Sequence, residues 1–168
     1  LVDAAEVLGL KTGAGPSTFA RFIEGTGDAA GDGNRRAATA AQALAELGPE
    51  ELSARVGELY RREVARVLPD AVARIEAVMG VHASRWSVRR MTSRWGSCTP
   101  KTGAIRISGA LAAYPPACLD YVVAHELTHL LEPSHNARFH ALLDRFYPRN
   151  REVAAILKHP AREACQAR

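Results

Sequence analysis

Residues 124–135, AHELTHLLEPSH, contain three histidines and two glutamates within twelve positions. The whole chain of 168 residues has only six histidines, so half of them fall in this short stretch. His125 and His129 are four residues apart, and Glu126 directly follows the first of them. Imidazoles and carboxylates concentrated at this spacing are typical of a metal site.

The region around this stretch has the pattern of a helix from about residue 117 to residue 131. Leu119, Val122, Val123, Leu127 and Leu130 recur at helical spacing and would bury the side opposite the histidines. A Pro-Pro pair precedes the segment and a single proline follows it, as expected at helix boundaries. The sequence therefore predicts that H-E-x-x-H lies on a well-defined helix.

On such a helix His125 and His129 point to the same side, one turn apart. That arrangement suits two ligands of a tetrahedral zinc ion. Glu126 is rotated by about 100° from His125, so it is badly placed to bind the metal together with both histidines. Its carboxylate is left free to take a proton from metal-bound water.

Three residues compete for the third ligand position. His135 comes six residues after His129 and just beyond a proline break, so the chain can turn and bring it back to the metal. Glu132 lies seven residues after His125, but Pro133 restricts its backbone. Cys98 is the other alternative, and a His-His-Cys site would indicate a deformylase-like hydrolase of small amides. We favour His135, because zinc readily takes a neutral imidazole.

Composition places the chain among soluble globular proteins, with 47% hydrophobic and 24% charged residues. No apolar run approaches the ~20 residues that span a bilayer, and the first residues lack the pattern of a secretory signal. Cys98, Cys118 and Cys165 are odd in number and form no C-x-x-C pair. This argues against a disulfide framework and favours a reducing compartment. We expect a cytoplasmic protein without a membrane segment.

The chain changes character near residue 50, which predicts two domains. Residues 1–49 read as a helical N-terminal segment with a flexible glycine- and aspartate-rich loop at 25–34. The second domain, residues 50–168, opens with an amphipathic helix over 50–79. Pro69 should kink or split that helix near Leu68.

Strand-like alternation follows between residues 84 and 108. The segment around Trp86 and residues 105–107 read as two strands of a hairpin or meander, separated by a turn at 100–103. Beyond the H-E-x-x-H helix we expect a helix from His135 to about residue 147, capped by Ser134, and a last short helix to about residue 159. The predicted class is α+β.

Four runs now carry a resemblance to a known family. They are SRWGSC at residues 93–98, IRI at 105–107, LDYVVAHEL at 119–127 and HNARF at 135–139. In this order and spacing the chain resembles the YgjP-like metallopeptidase domain, which is similar to SprT-like proteins and belongs among the zincins. The resemblance covers about residues 60–148, and residues 1 to about 50 match nothing in that family.

The resemblance implies a zinc ion held by His125, His129 and His135, with Glu126 as the catalytic base. It also implies a zincin-like fold, with a small sheet beside the active-site helix. The activity expected on this basis is hydrolysis of a peptide bond in a peptide or protein substrate.

The chemistry needs further groups around the metal. A second donor to the developing oxyanion is required besides zinc, and the candidates are Tyr114, Tyr121, Arg94 and His140. Asp120 and Asp144 are candidates for orienting a ligand histidine. Residues 95–98, with a glycine inside a strand, have the pattern of an edge that pairs with an extended substrate.

A basic cluster is the one feature that favours nucleic acid as a partner. It consists of Arg85, Arg89, Arg90 and Arg94, with Trp86 and Trp95 interleaved. SprT-like relatives that act on DNA-bound proteins support this by analogy only. The corresponding alternative function is a non-catalytic zinc module that binds nucleic acid. A closed structural site would need a fourth protein ligand and would have no use for the free carboxylate of Glu126.

Overall fold

The computed structural model describes residues 47–161. This part of the chain contains four α-helices and three strands, and the predicted α+β class is confirmed. The helices are α1 (Pro49–Met79), α2 (Pro116–Leu131), α3 (Ala137–Phe146) and α4 (Asn150–Ile156), the strands are β1 (Arg85–Arg89), β2 (Gly96–Thr99) and β3 (Ala104–Ser108), and a 3-10 helix covers Gly109–Ala113. The helices and loop expected before residue 47 lie outside the described residues, and the domain boundary near residue 50 stays a prediction.

Helix α1 is amphipathic, as its periodicity predicts. From residue 64 onward its buried positions are Val64, Leu68, Ala71, Ile75 and Met79, three or four residues apart. The helix is not split at Pro69, which lies inside it. Pro69 is on the exposed side, so the carbonyl that loses its backbone partner lies on the side of the helix that water reaches. Gly80, with φ +65°, ends the helix in the left-handed conformation.

The three strands form one mixed sheet in the order β1-β3-β2. β2 and β3 form a hairpin, and Gly103 with φ +65° completes its turn. The sequence predicted a hairpin or meander of the segment around Trp86 with residues 105–107, and that pairing was wrong in its direction. β1 is the parallel partner of β3, so it does not belong to the hairpin. β2 is a strand in its own right, which the sequence pattern did not separate from the turn that follows it.

Helix α2 is the centre of the described part. It packs against the sheet and against both later helices, and its residues are buried on most sides. Pro115 and Pro116 stand at its start, as predicted. An ion pair of 2.8 Å between Arg74 and Asp120 links its N-terminal half to α1. The helix that carries H-E-x-x-H is therefore held from several directions.

The segment after α2 differs from the prediction. α3 begins at Ala137, and its N-cap is Asn136, whose side chain accepts a hydrogen bond of 3.0 Å from the backbone N–H of Phe139. The expected cap, Ser134, is two residues too early. His135 consequently belongs to the bend between the two helices and not to α3.

Two further observations concern membrane-spanning helices and the cysteines. Within residues 47–161 no helix is long and apolar enough to cross a membrane. Cys98 and Cys118 are free cysteines, and Cys165 lies outside the described residues.

The end of α1 is fixed to β1 through one carboxylate. Glu76 accepts hydrogen bonds from the backbone N–H of Ala83 (3.1 Å) and from the indole N–H of Trp86 (3.2 Å), and it pairs with Nδ1 of His82 at 2.7 Å. Burial alone would raise the pKa of Glu76, but these partners outweigh it and lower the pKa below its usual value of 4.5. A depressed carboxyl pKa stabilises the fold above the unfolded-state value, and that contribution is lost as the pH falls through the folded-state value.

We therefore expect Glu76→Gln to lower the free energy of unfolding by about 1–2 kcal/mol at neutral pH. The difference from the wild type should shrink as the pH falls through the folded-state pKa of Glu76, where Glu76 itself becomes protonated. Urea denaturation at neutral pH and at a series of lower pH values measures it. Glu152→Gln is the matched control, because Glu152 forms an exposed pair with Arg149 and such pairs contribute little. An equal loss in both variants, or a loss independent of pH, would contradict the assignment.

Candidate metal centre and cleft

The structure brings His125, His129 and His135 together. One ring nitrogen from each lies within 4.8 Å of the others. The Nε2 atoms of His125 and His135 are 3.1 Å apart. Among residues 47–161 these three form the group with metal-ligand geometry. Neither Glu132 nor Cys98 belongs to it.

The local fold explains why the rings converge. His125 and His129 are one turn apart on α2, and α2 ends at Leu131 before Pro133. Glu132 caps the helix end, and its side chain accepts a hydrogen bond of 3.3 Å from the backbone N–H of Ser134. The carboxylate of Glu132, which was the alternative third ligand, therefore stabilises the bend after α2.

The ring of Phe139 packs against all three histidine rings. Its side chain is fully buried, and its ring centroid lies 5.0 Å from that of His125 and 4.7 Å from those of His129 and His135. The Asn136 cap fixes the backbone at this position. Phe139 therefore holds the orientation of the rings through packing, a role that sequence analysis did not assign to it.

The electrostatics of the histidines fit a metal site. Burial, together with the neighbouring histidines, lowers the pKa of His125 to about 4. The pKa of His129 is also lowered, first by burial and then by His135. Neutral imidazoles have the lone pairs that a metal requires. Two such nitrogens facing each other at 3.1 Å repel unless a proton or a cation lies between them. Tetrahedral zinc would place its ligand nitrogens about 3.4 Å apart.

Glu126 lies beside the histidines but outside their group. Its side chain is buried, and burial raises its pKa to about 7, although the charge of Arg94 and the backbone N–H of Cys98 act in the opposite direction. The carboxylate is packed directly on Gly96. A Cβ at that position would lie 2.6 Å from Oε1 and 2.7 Å from Cγ of Glu126. The first residue of β2 must therefore be glycine if Glu126 is to keep this position.

A cleft of about 550 Å³ opens over this arrangement. Its walls come from β2 with its flanking loops, from α2 and from the bend after α2. The lining residues include the three histidines and Glu126, together with Arg94, Trp95, Gly96, Ser97, Cys98 and Tyr121. The groups that could bind a metal and move protons thus face one solvent-accessible space.

The structure distinguishes between the four residues that sequence analysis proposed as the second donor to the oxyanion. Arg94 and Tyr121 line the cleft. Tyr114 is engaged elsewhere, since its hydroxyl donates to the backbone carbonyl of His159 at 3.0 Å. His140 does not line the cleft, and its ring contacts that of Phe139.

Neither of the two aspartates that were candidates for orienting a ligand histidine is bonded to one. Asp120 pairs with Arg74, and Asp144 accepts hydrogen bonds from Asn150 and Arg151. Both aspartates therefore link structural elements, in agreement with the surface positions that were the alternative for each.

Cys98 lines the cleft, but its properties disfavour a ligand role. Burial, followed by the nearby Glu126, raises the pKa of its thiol to about 11. Its sulfur is not among the converging ligand atoms, and this position disfavours a ligand role.

Three residues of the site escaped sequence analysis. Gly96 was interpreted as part of a strand edge, and its close packing against Glu126 was not predicted. Phe139 appeared only as part of a family pattern, and Asn136 was passed over in favour of Ser134 as the cap. The available signal was Asn136 itself, a strong N-cap residue three positions before Phe139.

Comparisons with known proteins agree with this picture. The family model of the YgjP-like metallopeptidase domain matches residues 21–160. This match extends further than the resemblance read from the motifs, and it includes about thirty residues that seemed to have no counterpart. No curated protein matches the chain.

Two solved structures are similar to parts of the chain. One is the metallopeptidase zymogen abylysin of Pyrococcus abyssi, with 19% sequence identity, a TM-score of 0.48, and coverage of 53% of this chain and 90% of that one. The other is the metallopeptidase zymogen jannalysin of Methanocaldococcus jannaschii, with 22% identity, a TM-score of 0.46, and coverage of 53% and 91%. The family match spans most of the sequence and includes the histidine cluster, and the chain therefore belongs to the YgjP-like metallopeptidase domain family.

Proposed function

We propose that the protein is a zinc-dependent peptidase whose metal is held by His125, His129 and His135. The observation that carries the proposal is the convergence of three histidines, two of them with lowered pKa values, beside a buried carboxylate that is not one of the converging ligands. A site with three protein ligands leaves a coordination position open, as catalytic zinc sites do. The membership of the chain in a metallopeptidase family supports the same reaction class.

Glu126 is the general base of this proposal. A bound zinc ion would supply Lewis acidity, which polarises a carbonyl group and makes water a stronger acid. Glu126 takes the proton of the attacking water and later delivers it to the leaving amine. Burial favours this exchange, because it raises the pKa of Glu126 to about 7 and so brings the protonated and ionised forms close in energy.

The substrate would lie along β2. This strand has β3 on one side, and its other edge faces the cleft. The carbonyl of Trp95 accepts a hydrogen bond of 2.8 Å from Ser108 of β3. Alternation then turns the backbone groups of Gly96 and Cys98 away from β3, and of these the N–H of Cys98 donates to Glu126. An extended peptide pairing with this edge would be held by its main chain, which gives affinity with little sequence preference.

Tyr121 and Arg94 are the groups that would stabilise the developing oxyanion. Both line the cleft, and both interact electrostatically with Glu126. The pKa of Tyr121 is raised by burial and then by Glu126, so its hydroxyl keeps its proton and can donate it in a hydrogen bond.

Specific observations disfavour the two alternative functions. A deformylase-like site needs a cysteine ligand, whereas Cys98 lies outside the group of converging ligand atoms. A closed structural zinc site needs a fourth protein ligand, and within residues 47–161 the converging group has three.

Glu126→Gln should separate metal binding from catalysis. The variant should keep about one zinc ion per chain, since Glu126 is not a proposed ligand. Hydrolysis of an unfolded protein such as casein should fall by roughly 10²–10⁴-fold, as expected for the loss of a general base. Zinc is measured by elemental analysis of the same samples. A variant that binds zinc and stays fully active would contradict the role of Glu126.

His135→Ala should reduce the zinc content of the purified protein well below that of the wild type. His140→Ala is the control, because His140 lies five residues further on but outside the converging group. Elemental analysis and zinc titration of both variants measure the effect. Unchanged zinc affinity in His135→Ala would move the third ligand to another residue.

Gly96→Ala tests whether β2 positions the base. The added Cβ would overlap the side chain of Glu126, so the carboxylate must move. Zinc content should stay at the wild-type level, while activity should fall by about 100-fold, since displacement by ~1 Å is enough for such a loss.

The control for this substitution is Gly57→Ala, where an added Cβ meets open space on α1. A double-mutant cycle gives a second measurement. Any loss of folding stability caused by Gly96→Ala should disappear in a Glu126→Ala background, because the overlapping atoms are then gone. An equal stability loss in both backgrounds, with activity retained in the single variant, would contradict the positioning role.

A further inference from the structure

The positive charge of the protein is concentrated in one segment. Between Glu76 and Asp120 the sequence contains no aspartate or glutamate. The same stretch contains six cationic side chains, which are Arg85, Arg89, Arg90, Arg94, Lys101 and Arg106. The chain as a whole has a net charge of +4, so everything outside this segment sums to −2. The segment coincides with the sheet and its connections.

The strand register places three of these arginines on one face of the sheet. Ser87 is paired with Arg106, and Arg85 and Arg89 lie two residues to either side of Ser87 on the same strand. Side chains of paired residues share a face, and alternate residues of a strand do as well. Arg85, Arg106 and Arg89 therefore form a compact group, here called the basic face, whose ends are about 13 Å apart along β1.

The helices pack on the opposite face. Ile105 and Ile107 of β3 are buried in the core, and Trp86 of β1 bonds to Glu76 of α1. Both tryptophans of the cluster pack against the hydrophobic core. The ring of Trp95 contacts that of Tyr114, with ring centroids 5.0 Å apart. The arginines and the tryptophans therefore lie on opposite faces of the sheet, and they do not form a mixed aromatic and basic surface.

Within the part of the chain that the structure describes, the arginines of the basic face have no acidic partners. Arg85, Arg89 and Arg106 are exposed, and within residues 47–161 none of them forms an ion pair. By contrast, arginines on the surface of α1 are paired with glutamates of the same helix, as Arg62 is with Glu58 and Arg66 is with Glu63. The charge of the basic face is therefore available to an external anion.

We propose that the basic face binds single-stranded nucleic acid through its phosphates. Arginine matches this role, because its planar guanidinium makes paired hydrogen bonds to phosphate oxygens. The neighbouring side chains on the same face are short and polar, namely Ser87, Ser97 and Thr99. Among residues 47–161, these short side chains leave room for a strand of nucleic acid close to the sheet.

A protein partner fits this surface less well. Stable protein interfaces have an apolar or aromatic centre that supplies most of the binding energy, and the basic face has none, because its positions on the three strands are arginine, serine, threonine or alanine. Interfaces with nucleic acid are more polar and more positively charged. Since no aromatic ring lies on this face for base stacking, binding is independent of base sequence and depends strongly on salt.

The basic face and the cleft share β2. By the register, Ser97 and Thr99 share the face of Arg106, and Ser97 also lines the cleft, whereas Gly96 meets Glu126 on the helix side. The two surfaces are therefore neighbours along this strand. This inference does not depend on the proposed peptidase activity, and its test does not use that activity.

Fluorescence anisotropy of the full chain with a labelled oligothymidylate of about 20 nucleotides tests the proposal at several salt concentrations. The wild type should bind with micromolar affinity in about 50 mM salt and weaken as salt is added. The triple variant Arg85→Gln, Arg89→Gln, Arg106→Gln should bind at least tenfold more weakly. Its slope of log affinity against log salt should be reduced by about 2, because each single-strand phosphate contact contributes about 0.7.

The matched control is the triple variant Arg62→Gln, Arg66→Gln, Arg151→Gln, which removes the same charge from exposed, paired arginines. It should bind within about twofold of the wild type, because it leaves the phosphate contacts intact. Arg106→Glu alone provides a second variant, with circular dichroism to verify folding, and it should also lose affinity. The proposal is overturned if the wild type does not bind, if both triple variants weaken equally, or if polyglutamate of equal charge binds as tightly as the oligonucleotide.

Discussion

The contact between Glu126 and Gly96 sets the distance between the central helix and the edge strand. A buried carboxylate is unfavourable when ionised, as its raised pKa of about 7 records. It is tolerated because β2 offers both space, where Gly96 has no side chain, and a hydrogen-bond donor, the backbone N–H of Cys98. Any side chain at position 96 would force α2 and β2 apart or turn the carboxylate away. The walls of the cleft and the position of the base therefore depend on the same contact.

Short-range geometry explains why the histidine cluster could be predicted. His125, His129 and His135 lie within eleven residues, so the helical period, the proline break and the length of the bend decide whether their rings meet. The close packing of Glu126 on Gly96 could not be predicted in the same way. Gly96 is thirty residues away from Glu126 in the sequence, and their contact depends on tertiary packing. The capping error arose because Ser134 and Asn136 are both good N-cap residues. The choice between them depends on how the chain turns after Pro133.

The fold class followed from the sequence, but the connections between strands did not. The apolar pattern located α1, α2 and the hairpin region, because burial imposes a period of 3.6 or 2 on the sequence. β2 has four residues and starts with glycine, which leaves too little alternation to identify it as a strand. The parallel pairing of β1 with β3 is a long-range choice that no local pattern specifies. The helix continues through Pro69 because only one backbone hydrogen bond is lost, on the exposed side.

The alternation of side chains along the strands also explains how one small sheet can carry two kinds of chemistry. On the side of α2, apolar residues and Gly96 create the low-polarity surroundings that shift the pKa of Glu126. On the other side, Arg85, Arg89 and Arg106 keep their charges in water, where a cation costs little. A shift of register by one residue would exchange the two faces, exposing Ile105 and Ile107 and burying Arg106. The pressure to bury the isoleucines thus fixes the orientation of the arginines as well.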